Sequence, residues 1–233
     1  MIDLSIATRG MANTSRSPRI SRQDDISIGT DIAGRTRSEI EGLIGFFANQ
    51  LVLRTDLSGN PSFRELLGRV RKVVLGASAN QDVPFEKIVS TLQPKRDLNR
   101  SPFFQFKFVL QNVPMTSFKL SDLSLSEWDI SSNTAKFDLL FTMWESGQRL
   151  NGSLEYRTDL FSAATIATVA EHFKALLDHV VAQPQAPLSA LAEIINRADK
   201  ERQLGQQKEF LEARRRRFTS LRETRTVALG ARL

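Results

Sequence analysis

Apolar and polar positions change their period several times along the chain, and each change marks an element. Over 26–37, ISIGTDIAGRTR alternates and then breaks at Gly34, which predicts a short strand followed by a loop. IGFFANQLVLRTD, 44–56, is largely apolar, with β-branched and aromatic residues, and predicts a buried strand over 49–55. LSGNP, 57–61, has turn chemistry. Ser62 is followed three positions on by Glu65, the signature of a capping box, so a helix starts there. Phe63, Leu66, Leu67, Val70, Val74 and Ala77 then recur on one helical face. Pro84 opens a second short helix, PFEKIVSTL, because proline suits the first helical turn, and Pro94 closes the region.

Phe104, Phe106, Phe108 and Leu110 alternate with Gln105, Lys107 and Val109, which predicts a strand with one strongly apolar face, stopped at Val113-Pro114. FDLLFTMWES (137–146) and LNGSLEYRT (150–158) flank the turn residues SGQR and read as a hairpin. Ile166, Val169, Ala170, Phe173, Leu177 and Val180 line one face of an amphipathic helix over 163–182. QPQAP, 183–187, reads as a linker, and 197–217 as a charged helix with little apolar face, ending in Arg214-Arg215-Arg216-Arg217. Strands and helices interleave without an internal repeat. The expectation is a mixed α/β domain over 26–190, with a polar, disordered arm over 1–25 and a charged linker helix and tail over 191–233.

Composition narrows the function. Of the 233 residues 41% are hydrophobic, 15 of them Phe, so a packed core is available. Cysteine is absent, which excludes disulfides, zinc–cysteine sites and thiol nucleophiles. The net charge of +6 belongs to the ends. Four arginines face three acids before residue 26, and eleven Lys/Arg face six acids from residue 190 onward, so the middle is neutral. That middle has no electrostatic footprint for nucleic acid. The four arginines of the tail lack interleaved aromatics, a weak footprint too. Glu209 and Glu212 lie close enough to them for i,i+3 and i,i+4 pairs, which reads as a solvated linker helix or a docking helix for another protein. No apolar run approaches the roughly 18 residues that cross a bilayer, and the N-terminal stretch lacks the apolar core of a secretory signal. A cytoplasmic location is expected.

Candidate chemistry is sparse. The two histidines, His172 and His179, fall seven apart on the amphipathic helix with no accompanying ligand pattern. No nucleophile elbow, phosphate loop or dinucleotide fingerprint is present. Asp31 and Arg35 flank Gly34, and Arg96, Asp97 and Arg100 share one loop. Such charges either stitch a loop down by ion pairs or face a ligand.

Three strings occur in order: IGFFANQLVLR (44–54), NQDVPFEKIV (80–89) and RDLNRSPFFQ (96–105). They resemble the last three signature motifs of condensation domains from nonribosomal peptide synthetases. IGTDIAGRTR (28–37), KFDLLF (136–141) and LEYRTDLF (154–161) resemble the same family, so the likeness runs over roughly 26–190. It implies a fold of two chloramphenicol-acetyltransferase-like lobes around a tunnel, of which this chain supplies the second: an α/β, two-layer sandwich with a mixed sheet packed by helices, plus a charged C-terminal helix. Carrier domains would present thioesters there on 4'-phosphopantetheine arms, an acceptor amine attacking the donor thioester to form an amide.

The resemblance implies tunnel or lobe-interface positions at Asp31, Arg35, Asn49, Gln81, Asp82, Pro84, Phe85, Glu86, Arg96, Asp97 and Arg100. It implies no cofactor or metal bound directly. Its partners would be peptidyl or aminoacyl carrier domains and a separately encoded first lobe or a second copy, with no membrane or nucleic acid. The family's catalytic signature, His-His-x-x-x-Asp-Gly in the first lobe, is not in this sequence, which has no adjacent histidines. No catalytic position is therefore assigned, and the chain alone is expected to be inactive. The rival expectation is a non-enzymatic module binding a carrier or a tailoring enzyme; a third, an arginine-tail nucleic-acid binder, predicts affinity that falls steeply with salt.

Overall fold

The computed structural model describes residues 24–94, 100–111 and 134–230, without the side chains of 206, 209 and 213–230. In chain order the elements are β1 (Asp25–Ile32), α1 (Ser38–Glu41), β2 (Asn49–Asp56), α2 (Phe63–Ala79), α3 (Phe85–Leu92), β3 (Phe106–Gln111), β4 (Leu139–Ser146), β5 (Arg149–Tyr156), α4 (Ala163–Ala182) and α5 (Leu188–Gly230). The strands form one mixed sheet in the order β2-β1-β3-β4-β5. The β1–β2 and β4–β5 pairs are antiparallel, and the β1–β3 and β3–β4 pairs parallel. The β4–β5 turn is two residues long, with Gly147 first at φ +62°, the conformation a tight hairpin needs there.

Two apolar clusters join sheet and helices. In the first, Ile28, Phe106, Phe108, Leu139, Phe141 and Met143 from the strands meet Ile166, Val169 and Phe173 of α4. In the second, Phe63, Leu66 and Val70 of α2 meet Leu176 and Val180 of α4 and Leu188, Leu191 and Ile195 of α5, with Leu57 between. Ile26 touches both. Each such side chain, fully buried, stabilises the fold by about 1.5–3 kcal/mol relative to exposure.

The segment 183–187 is a docked connector rather than a free linker. Pro184 O accepts from Arg64 N–H at 2.9 Å and Ala186 O from Phe63 N–H at 3.2 Å, which satisfies two open donors at the start of α2. Leu188 N–H returns a bond to Pro61 O at 3.0 Å, and Asn60 bonds Ser189 through both ends of its amide. The charged helix begins at Leu188, earlier than its sequence pattern indicates. Its first turns carry Leu188, Leu191 and Ile195 among charged neighbours, and burial there comes from α2 and α4. The expected N-terminal arm falls mostly on residues outside the description, and β1 begins at Asp25, whose carboxylate takes Arg54 Nε at 2.8–2.9 Å.

The capping box at α2 forms as its spacing predicts. Glu65 Oε2 accepts from Ser62 N–H at 2.7 Å, and Ser62 Oγ accepts from Glu65 N–H at 3.3 Å. The Ser62 N–H, followed by its hydroxyl, holds the Glu65 carboxyl below its ordinary value of 4.5. The Arg54 side chain lowers Asp25, the Ser58 N–H lowers Asp56 and the Arg157 side chain lowers Asp159 in the same sense. Folded values below unfolded ones mean stability present above the ordinary carboxylate range and lost as pH falls through the lowered values. Differential scanning calorimetry should therefore show Tm nearly level from pH 7 to 5 and falling below about pH 4. Glu65→Gln, which keeps an acceptor in the box, should flatten part of that fall.

Candidate functional site

The motif-bearing strings converge on one aromatic hub. Phe104, just ahead of β3, is fully buried at 0% exposure. Its ring lies 5.6 Å, centroid to centroid, from Phe137 ahead of β4 and 6.0 Å from Phe85 at the start of α3. Phe85 also meets Phe103 edge-on at 6.0 Å. The floor of the hub is Gly29 of β1: a Cβ there would come within 2.2 Å of the Phe104 ring, so the ring rests on bare backbone. Four separated strings, 28–37, 80–89, 96–105 and 136–141, thus meet around one phenylalanine.

Asn49 joins the fifth string to them. Its Nδ2 donates to Gln81 O at 2.9 Å and Val83 O at 2.8 Å, and its Oδ1 accepts from Phe85 N–H at 3.0 Å and Gln50 N–H at 2.9 Å. All four valences of the amide are used. Asn49 therefore caps α3 from across the chain: Pro84 is the residue preceding the helix, in extended conformation and with no side-chain hydrogen bond to offer. Proline leads into the helix as expected, but the cap comes from β2.

Lys107 departs from the strand pattern, which puts it on a polar face. The residue is 6% exposed, and Phe106, Lys107 and Phe108 are all buried because β3 is the central strand. Its Nζ sits 2.7 Å from Asp31 Oδ1 and 4.6 Å from the Phe137 ring centroid. The pair spans the β1–β3 junction, whose backbone register is a single pair, Gly29↔Lys107. Asp31 is partly open (side chain 39%) while the Lys107 side chain is not (8%), which makes the two partners unequal. Asp31→Asn, which removes the charge paired with the buried ammonium, should cost about 1–2 kcal/mol, and Lys107→Met, which frees a carboxylate that can hydrate, less than about 1 kcal/mol. Chemical denaturation of the two variants checks that order.

The remaining sequence-picked residues divide. Arg35 turns inward, its Nη1 donating to Ile40 O and Glu41 O and its guanidinium 4.4 Å above the Phe47 ring. Gln81 is half-buried, and Asp82, Pro84, Glu86 and Arg100 are exposed. Arg96 and Asp97 lie outside the described residues. Arg157, in the string 154–161, bridges Asp138 at 3.6 Å and Asp159 at 2.6 Å. The segment between β1 and β2 leaves Ile44 and Phe46 bare, at 106% and 93% exposure, and Leu43, Val83 and Leu92 are also exposed.

Sequence reading missed the roles of Phe104, Gly29 and Lys107, since none departs from ordinary strand composition. It also left His172 without a partner; Asp199, on α5, supplies one at 2.9 Å from Nε2. Among the described residues no group of three or more His, Cys, Asp or Glu could hold a metal ion. No helix among them is long and apolar enough to cross a membrane.

A mixed five-stranded sheet packed by helices is the α/β fold of the chloramphenicol-acetyltransferase-like condensation domains. The chain belongs to the condensation domain family of nonribosomal peptide synthetases, whose family model, "Condensation domain", matches residues 18–204. It is 49% identical over 175 residues to a linear gramicidin synthase polypeptide of Brevibacillus parabrevis, covering 74% of this chain and 3% of that protein. The X-domain from teicoplanin biosynthesis is similar in structure, with TM-score 0.70 and 28% identity over 80% of this chain and 42% of the other. The X-domain in its complex with OxyB gives TM-score 0.64 and 27% identity, over 80% and 44%. The chain thus spans a few per cent of the synthase and less than half of either X-domain chain.

Proposed function

We propose that the chain is the second lobe of a condensation domain and forms one wall of the tunnel in which carrier-bound acyl or peptidyl and aminoacyl thioesters are joined as an amide. The observation that carries this reading is the bare apolar pair Ile44 and Phe46, within one of the strings that resemble the family's motifs. Apolar surface of that kind marks a contact. Asn49, three residues beyond Phe46, ties the start of β2 to the 81–85 turn. A complementary first lobe, carrying the His-His-x-x-x-Asp-Gly signature, is the occupant this surface fits.

The lobe's contribution is placement. Holding two thioester arms in line supplies much of the rate when bound reactants meet, and one wall cannot hold both. The phosphopantetheine arms arrive on partner carrier domains as part of the substrates. With carriers loaded with donor and acceptor, the chain alone should form no amide, and addition of a first lobe should restore turnover. Ile44→Asp with Phe46→Asp should abolish that restoration while leaving the fold intact, since neither side chain is buried. Turnover by the chain alone would overturn the proposal.

A second reading, a non-enzymatic module that binds a carrier or a tailoring enzyme, is favoured by one observation: the similar X-domain has been solved as a complex with another protein, OxyB. Saturable carrier binding without any first lobe, and no turnover after one is added, would select it.

A further inference from the structure

The two faces of the sheet carry different chemistry. Ile28, Phe106 and Phe108 turn toward α4 and join the first cluster. Strand alternation puts Gly29, Asp31 and Lys107 on the other face. The Phe104 ring covers Gly29 there, and the Phe137 ring centroid lies 4.6 Å from Lys107 Nζ. The aromatic hub and the Lys107–Asp31 pair therefore share the face turned away from α4.

Lys107 meets Asp31 through Oδ1 at 2.7 Å. Among the described residues no other cation pairs with this carboxylate, and no donor is directed at Oδ2. Gln50, opposite Asp31 on β2, is uncharged. Arg35, four residues on, is turned to Ile40 O and Glu41 O. The Asp31 side chain is 39% exposed, so a ligand can reach it, while the Lys107 side chain that balances it is 8% exposed.

A carboxylate held in this way accepts hydrogen and donates none. Lys107 already cancels its charge, so it has little extra pull on a cation. It suits the N–H of a neutral amine. An amine that gives one N–H to an acceptor keeps its lone pair free to attack, whereas a donor would tie the lone pair up.

Resting on the reading of this lobe as one tunnel wall, we infer that Asp31 binds the acceptor amine of the aminoacyl thioester in its neutral, nucleophilic form. Lys107 acts through Asp31, as a positioning residue that cancels its charge. Without Lys107 the carboxylate would favour the ammonium form of the acceptor, which has no lone pair to attack with.

The test uses the full chain with a first lobe, saturating donor-loaded carrier and varied acceptor-loaded carrier, and follows amide formation from about pH 6 to about pH 9. Lys107→Met should move the acid limb of the kcat profile up by about one pH unit. Asp31→Leu with Lys107→Met should lower kcat about tenfold or more and leave KM for the acceptor carrier within about twofold. Asp31→Asn with Lys107→Met offers an oxygen without charge, and should recover the parent's pH profile and about a third or more of its rate. Circular dichroism at the assay temperature should show all three variants folded. The inference fails if the acid limb stays in place in Lys107→Met, or if the Leu variant turns over like the parent or loses only in KM. It also fails if the Leu and Asn variants lose activity equally, which marks a structural role. In each of those cases turnover by the parent leaves the tunnel-wall reading standing. No amide from the parent with a first lobe would overturn that reading and this inference together.

Discussion

Phe104→Ala should lower the stability of the protein by about 3–5 kcal/mol, the range for removing a large aromatic side chain from a closed core. Phe104 has no exposed surface and touches Phe85, Phe137 and the bare backbone at Gly29, so the void cannot be filled by a small local shift. The converse change has the same root. Gly29→Ala drives a methyl group to within 2.2 Å of the ring, and a ring held on both sides has nowhere to go, so overpacking of about 1–3 kcal/mol is expected. In the double variant the new methyl occupies part of the space the ring vacates. The combined loss should fall short of the sum of the single losses by at least about 1 kcal/mol, measured by urea unfolding at equilibrium. Additive losses would mean that Gly29 and Phe104 do not share a contact.

Asn49→Asp should cost about 2–3 kcal/mol although it changes a single atom, nitrogen to oxygen. The substitution removes both hydrogen bonds to Gln81 O and Val83 O and turns an anionic oxygen toward those two carbonyls. The bond from Phe85 N–H to the other oxygen survives, so helix α3 keeps its cap while the turn before it is released. Hydrogen exchange followed by mass spectrometry should show faster exchange over 80–84 and little change over β4 and β5. Asn49→Ala, which also removes the cap, should extend the faster exchange into 85–92. Uniform acceleration across the whole sheet would contradict a local clamp.

These two sites show how much of the molecule could be seen in the string of residues. The helix at Ser62 was legible because its start is a local event: Ser62 and Glu65 satisfy each other's backbone groups whatever else the chain does. The hairpin over 139–156 was legible for a similar reason, a glycine turn between two runs of strand-forming residues. Helix α4 declared itself through 3.6-residue periodicity, with Ile166, Val169, Phe173 and Val180 buried as that period requires. The family strings were legible as strings, and so was the class of fold they imply.

The hub was not legible in that way. Phe104 reads like its neighbours Phe103 and Phe106, and only the parallel placement of β1 beside β3 puts Gly29 beneath it. Lys107 alternates as a surface residue should, yet the strand carrying it ends up central, and burial obliges it to find Asp31. Asn49 stands 36 residues from the helix it caps. The start of α5 looks like charged linker until α2 and α4 offer Leu188, Leu191 and Ile195 a place to be buried. Periods, caps and turns are decided between residues a few positions apart, so they can be read along the chain. Which strand lies in the middle, which ring covers which glycine, and which amide reaches which carbonyl are decided by contacts that exist only once distant segments have packed.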